Sequence, residues 1–405
     1  MKPSIRWTIV VLVLVTIGIT WLLWTKRDQQ PIPAKGPIAT QPTAPKPEPS
    51  PAPVTPKADK PKAKPAPRPM AKTLSKASTQ PTYALVEVLF GTDRQQLGGE
   101  NWNEYFGIRE DVFRYGICKV SIPARHERGR LERPFSLLIF EFPEDPAKHI
   151  MLRDIAMHQQ DAFFASLRAR LEKSSRNQAL LFVHGFNNSF ADAARRTAQL
   201  AYDLDFKGVP IFYSWPSFGS VEGYGADTET IKLATAKLGA FLDQILKDTQ
   251  ANELFLIAHS MGNEALTKAF IDVVAKRPDA RRRVKELVLV APDIDTRVFA
   301  RDIGPALAAA GAGVTLYAAS DDVALLSAKS IRAGFPRAGD ISDGVVILKG
   351  IETVDATGAD TSLIGHAYFV TRDLYYLINN GFRAEHRYLT TVKGKEGQYW
   401  KLTKE

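Results

Sequence analysis

Apolar positions between Tyr83 and Phe142 fall in strand-like blocks. Tyr83–Phe90, Phe113–Ile122 and Phe135–Phe142 are rich in β-branched and aromatic residues, with a Gly/Arg-rich turn at His126–Arg133. Consecutive strands with no helix between them predict antiparallel pairing at the start of a sheet. Beyond this region the period changes. Ile155–Leu171 and Ala191–Leu204 carry helical spacing, as does Asp227–Leu246, with Ala234, Leu238, Phe241, Leu242 and Ile245 on one face. Between and after them stand short apolar runs: Ala179–Val183, Val209–Tyr213, Leu254–Ile257, Leu287–Val290, Val314–Ala318 and Val345–Leu348. Strand alternating with helix predicts an α/β fold with a mostly parallel central sheet covered by helices on both faces. In such sheets sites gather at the carboxyl ends of strands.

The residues before Tyr83 cannot join that core. Trp7–Trp24 is uncharged, with Lys2 and Arg6 before it and Lys26-Arg27 after it. A helix of this length spans about 27 Å, enough for a bilayer's hydrocarbon core. Trp7, Trp21 and Trp24 lie where interfacial aromatics belong. A cleaved signal peptide is the competing reading, but no A-x-A-like site precedes Lys26. The expected order is therefore a tail at 1–6, a signal anchor at 7–24, a spacer at 25–82 and the folded domain at 83–405. Pro31–Pro69 holds 14 of the 26 prolines, which favours extended polyproline II and forbids a core. Basic residues flank the span on both sides, so orientation rests on the short amino terminus staying in the cytoplasm. Pro-Lys spacers of this sort resemble those of bacterial envelope proteins that hold a domain away from the inner membrane, so the domain is expected in the periplasm.

Charge changes little beyond this. The chain carries a formal +9, but Thr25–Ser75 accounts for most of it, with ten Lys/Arg against three Asp/Glu. The folded part is close to neutral and shows no basic stripe with interleaved aromatics, which argues against nucleic acid. The single cysteine, Cys118, excludes an intramolecular disulfide framework, and nothing points to a metal or organic cofactor.

The chemistry centres on Ala258-His259-Ser260-Met261-Gly262. The strand before it and the amphipathic run after it make a G-x-S-x-G-type strand–turn–helix, with Ala258 in the first glycine's place. Serine needs a base, and the base an orienting carboxylate. Of the seven histidines, His366 follows the final strand and opens an apolar helix ended by Asn380-Gly381, so it is the expected base. The acid should follow a strand between Ser260 and His366. Asp322 is favoured, with Asp321, Asp293 and Asp295 as alternatives. Oxyanion donors would be the N–H groups of Met261 and Phe186, the latter in the loop opened by His184-Gly185. Trp215 and Phe218 follow a strand at the same edge and are candidate walls of a substrate pocket.

These stretches carry a resemblance. Phe-Val-His-Gly-Phe-Asn-Asn (182–188), Tyr-Ser-Trp-Pro-Ser (213–217), Ala-His-Ser-Met-Gly-Asn (258–263) and Ala-Pro-Asp-Ile-Asp (291–295) resemble the bacterial α/β-hydrolase family of unknown function 900. Tyr-Gly-Ile-Cys-Lys-Val-Ser-Ile-Pro (115–123), Arg-Ala-Gly-Asp (337–340) and Gly-His-Ala-Tyr-Phe (365–369) extend the likeness. The resemblance implies the α/β-hydrolase fold, an esterase/lipase-like activity and the chain order Ser, Asp, His. It matches Asp322 better than Asp321. The anchor and spacer lie outside it, and it implies no substrate. The leading expectation is a membrane-tethered serine hydrolase acting on a small ester or lipid-like substrate through an acyl-enzyme. The same triad would serve an acyltransferase. The alternatives are a catalytically silent binding module of the envelope and a protein whose Pro/Lys spacer is the functional part.

Overall fold

The computed structural model describes residues 81–359 and 371–403, apart from positions 135, 138, 139, 142, 250 and 395. The expected tail, anchor and most of the spacer lie outside the described residues, as does His366. Every described residue belongs to one contact unit, Lys76–Glu405. Among the described residues no helix is long and apolar enough to cross a membrane.

The chain opens with an antiparallel meander: β1 (Tyr83–Gln96), β2 (Phe106–Pro123) and β3 (Met151–His158). Then follow β4 (Gln178–Val183), β5 (Val209–Ser214), β6 (Glu253–His259), β7 (Val284–Val290), β8 (Gly313–Ala318) and β9 (Glu352–Asp355). A hairpin of β10 (Leu389–Gly394) and β11 (Gly397–Leu402) completes an 11-stranded sheet, ordered β10-β11-β9-β8-β7-β6-β4-β5-β1-β2-β3. From β1 through β5, β4, β6, β7, β8 and β9 to β11 every neighbouring pair is parallel. The order reverses at β4, which lies between β5 and β6, so the carboxyl ends of β4 and β6 flank a topological switch point.

Both faces of the sheet are covered, as continuous apolar runs require. On one side α1 (Gln160–Lys173), α3 (Tyr224–Asp248), α4 (Gly262–Lys276) and α5 (Gly304–Ala310) bury residues such as Phe163, Phe241, Phe270 and Leu307. On the other, α2 (Phe190–Asp203), α6 (Val323–Ile331) and α7 (Thr371–Asn380) bury Phe190, Leu325 and Leu374. Along β6 the alternation is direct: Leu254, Leu256 and Ala258 face the first cluster, Phe255 and Ile257 the second.

Four expectations are corrected. Ile155–His158, read as the start of a helix, is strand, because Ile155 pairs with Cys118 and α1 begins only at Gln160. Within Phe135–Phe142 the described residues Ser136–Leu137 and Phe140–Glu141 pair with each other, apart from the main sheet that the run was expected to join. Val345–Leu348 is not a strand either. It lies between Gly344 (φ 139°) and Gly350 (φ 87°), and the strand beside β8 is Glu352–Asp355. Finally, the β10–β11 hairpin was absent from the expected order.

Candidate active site

The β6-to-α4 turn holds Ser260 at φ 52°, a left-handed conformation that a side chain adopts only under constraint. The surroundings supply it. Ser260 N–H donates to Val290 O at 2.9 Å, and Ser260 O accepts from the N–H of Asn263 (3.1 Å) and Asp293 (3.3 Å). Asn263 Nδ2 also donates to Ser260 O at 2.9 Å and to Val290 O at 3.0 Å. Close approach explains the small residues. A Cβ on Gly262 would stand 2.3 Å from His184 O, and one on Gly185 2.8 Å from Ser260 Cβ. The first-glycine position tolerates alanine because Ala258 points into the core at 0 % exposure. Ser260 itself is 1 % exposed.

Beside this turn runs the loop that leaves β4. Phe186 packs edge-on against Tyr224, 5.1 Å between ring centroids, which orients the loop's backbone. Among the described residues neither the Phe186 nor the Met261 N–H donates to an acceptor, so both candidate oxyanion donors are unspent. His184 is not a base. Burial first, then the Arg94 charge, pushes its imidazole down to about 3. Neutral, it donates from Nδ1 to Gly185 O (2.8 Å), leaving Nε2 to accept from Ser214 Oγ (3.3 Å). Trp215 stacks on it at 5.1 Å and donates Nε1–H to His184 O at 2.7 Å. Trp215 is 0 % exposed, so it braces the loop from beneath instead of presenting a wall; Phe218, at 54 %, is open to solvent.

The candidate acids separate by their other bonds. Asp293 ion-pairs with Arg337 Nε (2.7 Å) and accepts from Tyr224 OH (2.8 Å). Asp295 caps the turn at Thr296, accepting from the N–H of Arg297 and Val298. Asp321 is exposed and accepts from Gly358 N–H. Asp322 is 2 % exposed and caps α6, its Oδ1 accepting from the N–H of Ala324 and Leu325, each at 3.0 Å. Its carboxylate is thereby pinned just beyond β8, two strands across from Ser260.

The chain matches the family described as alpha/beta hydrolase of unknown function (DUF900) over residues 159–380, more than half its length. It belongs to that family. No curated protein matches it. Solved structures that resemble it include the predicted CIB-like hydrolase of Thermoplasma acidophilum, at 16 % identity over 57 % of this chain and 92 % of that one, TM-score 0.30. Others are the hyperthermophilic esterase of the archaeon Pyrobaculum calidifontis (11 %, 75 % and 84 %, TM-score 0.29) and a fungal esterase from Rhizomucor miehei (13 %, 73 % and 82 %, TM-score 0.31). Scores this low carry no argument of their own; the family match and the sheet order establish the α/β-hydrolase fold.

Two family stretches turn out to be one physical unit. Arg337–Asp340 folds against Ala291–Asp295: Gly339 N–H donates to Pro292 O and Ala338 N–H to Ile294 O, beside the Asp293–Arg337 pair. A Cβ on Gly339 would stand 2.5 Å from Ala291 C, so only glycine fits. Sequence reasoning missed Arg94 and Asp227. Arg94 donates to the carbonyls of Asn188 (2.7 Å), Ser217 (3.0 Å) and Gly107 (3.2 Å) and to Ser214 Oγ (2.9 Å). Asp227 accepts from Ser217 Oγ (2.6 Å) and Phe218 N–H (2.8 Å), and burial pushes its carboxyl up. For Arg94 the available signal was the polar run Thr92-Asp93-Arg94 that follows Gly91 and the apolar part of β1.

Proposed function

We propose that this chain is a serine hydrolase that cleaves carboxylic esters through an acyl-enzyme, with Ser260 as nucleophile, His366 as general base and Asp322 as the orienting carboxylate. Ser260 Oγ attacks the ester carbonyl carbon while His366 takes its proton. The negative oxygen of the tetrahedral intermediate accepts from the N–H groups of Phe186 and Met261. Collapse breaks the bond to the alcohol, which leaves with the proton from His366. Water then attacks the acyl-enzyme by the same steps and frees the acid. Phe218 contacts the substrate at the mouth, and Trp215 supports the loop behind it. The domain is tethered to the bacterial inner membrane by residues 7–24 and faces the periplasm.

The observation that carries this reading is the left-handed Ser260 wedged between Gly185 and Gly262. Other side chains here also take a positive φ, among them Ala333 and Tyr388, but Ser260 does so in a strand–turn–helix junction with Gly185 packed on its Cβ. The test is a fluorophosphonate probe on the full-length protein, with the adduct located by mass spectrometry. Labelling at Ser260 is expected, with loss in Ser260→Ala and His366→Ala. Asp322→Asn should lower ester turnover by about 10⁴-fold, as for a mis-set tautomer. A folded protein that stays unlabelled would sink the proposal in favour of a binding module.

A further inference from the structure

The turn from α4 into β7 is basic: Lys276, Arg277, Arg281, Arg282, Arg283 and Lys285 stand against Asp279. Some of this charge is spent. Arg277 pairs with Asp243 (2.8 Å), and Arg283 donates to the carbonyls of Leu246, Thr249 and Ala251. Lys285 lies 3.3 Å from Glu253, a solvent-screened pair of little strength. Lys276, Arg281 and Arg282 are exposed and have no ion-pair partner among the described residues. A recess of about 360 Å³ opens between Arg281, Arg282, Val284, Lys285 and Gly311. Because the folded region is nearly neutral as a whole, this concentration is local.

Register locates the patch. Leu89, Ile211, Leu181, Leu256 and Leu287 lie on one level across the sheet. Tyr83 precedes that level by six residues, whereas Val284 stands opposite Leu254, two residues before it, so at about 3.3 Å per residue Tyr83 projects about 13 Å beyond Val284 on the same edge. The polypeptide leading back to residues 7–24 therefore leaves from the edge that bears the free arginines, about 19 Å away across four strand spacings. Ser260 sits at the opposite edge, a strand length of about 20 Å away.

We propose that the amino-terminal edge of the sheet is a docking surface for anionic phospholipid headgroups, centred on Arg281, Arg282 and Lys285. Their recess receives a headgroup phosphate, and the spacer, also positively charged, is drawn to the same anionic bilayer. Docking turns the Ser260 edge away from the bilayer, so substrate arrives from the aqueous side. This rests on the tether reading above.

The test uses the full-length protein in proteoliposomes, with Asp279→Cys carrying a fluorophore; Cys118 is fully buried and stays unlabelled. Energy transfer to a headgroup-labelled lipid should be higher with phosphatidylglycerol than with phosphatidylcholine alone. The difference should vanish at about 0.5 M salt, where screening is short-ranged. Arg281→Gln with Arg282→Gln should lower the docked-to-free ratio about 25-fold, at about fivefold per charge. Equal transfer in both lipids, or higher transfer from a label at Ser220→Cys on the opposite edge, overturns the proposal. A failed tether has its own signature, no flotation with pure phosphatidylcholine vesicles. In that case salt-sensitive flotation with phosphatidylglycerol, lost in the double variant, upholds the docking surface, and its absence overturns it.

Discussion

At the start of α2, Arg94 reaches the carbonyl of Asn188 and ties the β4 and β5 loops together. At the end of the same helix, His126 lies between Asp203 Oδ1 (2.7 Å) and Glu132 Oε2 (2.8 Å), its side chain 2 % exposed. Asp203 also accepts from Gly129 N–H and from Gln199 Nε2, both at 2.8 Å. Both ends are held by buried basic side chains, but of different kinds. Burial lowers Arg94 only to about 10, so it stays charged through the neutral range. It bonds carbonyls and a hydroxyl, none of which titrates. Burial pushes the His126 imidazole down, yet its bonds with Asp203 and Glu132 outweigh that and raise it above the ordinary 6.5. The Arg94 bonds beneath the candidate active site are thus indifferent to pH through the neutral range, while the far end of the helix is not.

Removing the permanent cation should have the largest effect. Arg94→Leu strands several buried acceptors, at about 1–3 kcal/mol each, and should cost about 4 kcal/mol in urea unfolding along with probe labelling of Ser260. Arg94→Lys restores the charge without the planar fork and should still lose about 2 kcal/mol. A lysine variant as stable as the parent would mean that charge, not geometry, holds the loops.

The titratable end predicts a pH signature. Because the folded-state value is raised, His126 contributes its full stability below 6.5 and loses it as pH rises through the higher folded value. His126→Gln should therefore flatten the pH dependence and lower Tm by about 2–4 °C at pH 6. Labelling of Ser260 should be unchanged, and a labelling rate that followed the His126 titration would break the contrast between the two ends. Gln199→Leu should change the pH profile least, because it costs about 2 kcal/mol at every pH from the lost bonds to Asp203 and Arg196 Nη1, again without a change in labelling.

Much of the site was legible because its requirements are local. A strand period giving way to a helix period at Ser260, with small residues two positions before and after, is written within a dozen positions. Gly185 and Gly262 then prove small for a shared reason, the crossing of their two loops. Trp215 shows the limit of such reading. Its aromatic character was visible, but its acceptor, the carbonyl of His184, lies on another strand and turns a presumed wall into a brace.

The sequence by itself determined the parallel α/β class, the antiparallel opening, the elbow and the family, since periodicity and turn chemistry act over neighbouring residues. Tertiary structure alone decided which short apolar runs joined the sheet. Val345–Leu348 and Glu352–Asp355 both suit a strand, and the choice fell to the run flanked by β8 and β11, while Val346 O was left to accept from Thr353 Oγ1. It also decided what each buried charge does. Arg94 and His126 find their partners through contacts as distant in sequence as Asn188 and Asp203, and no local pattern encodes a partner that only chain crossing brings near.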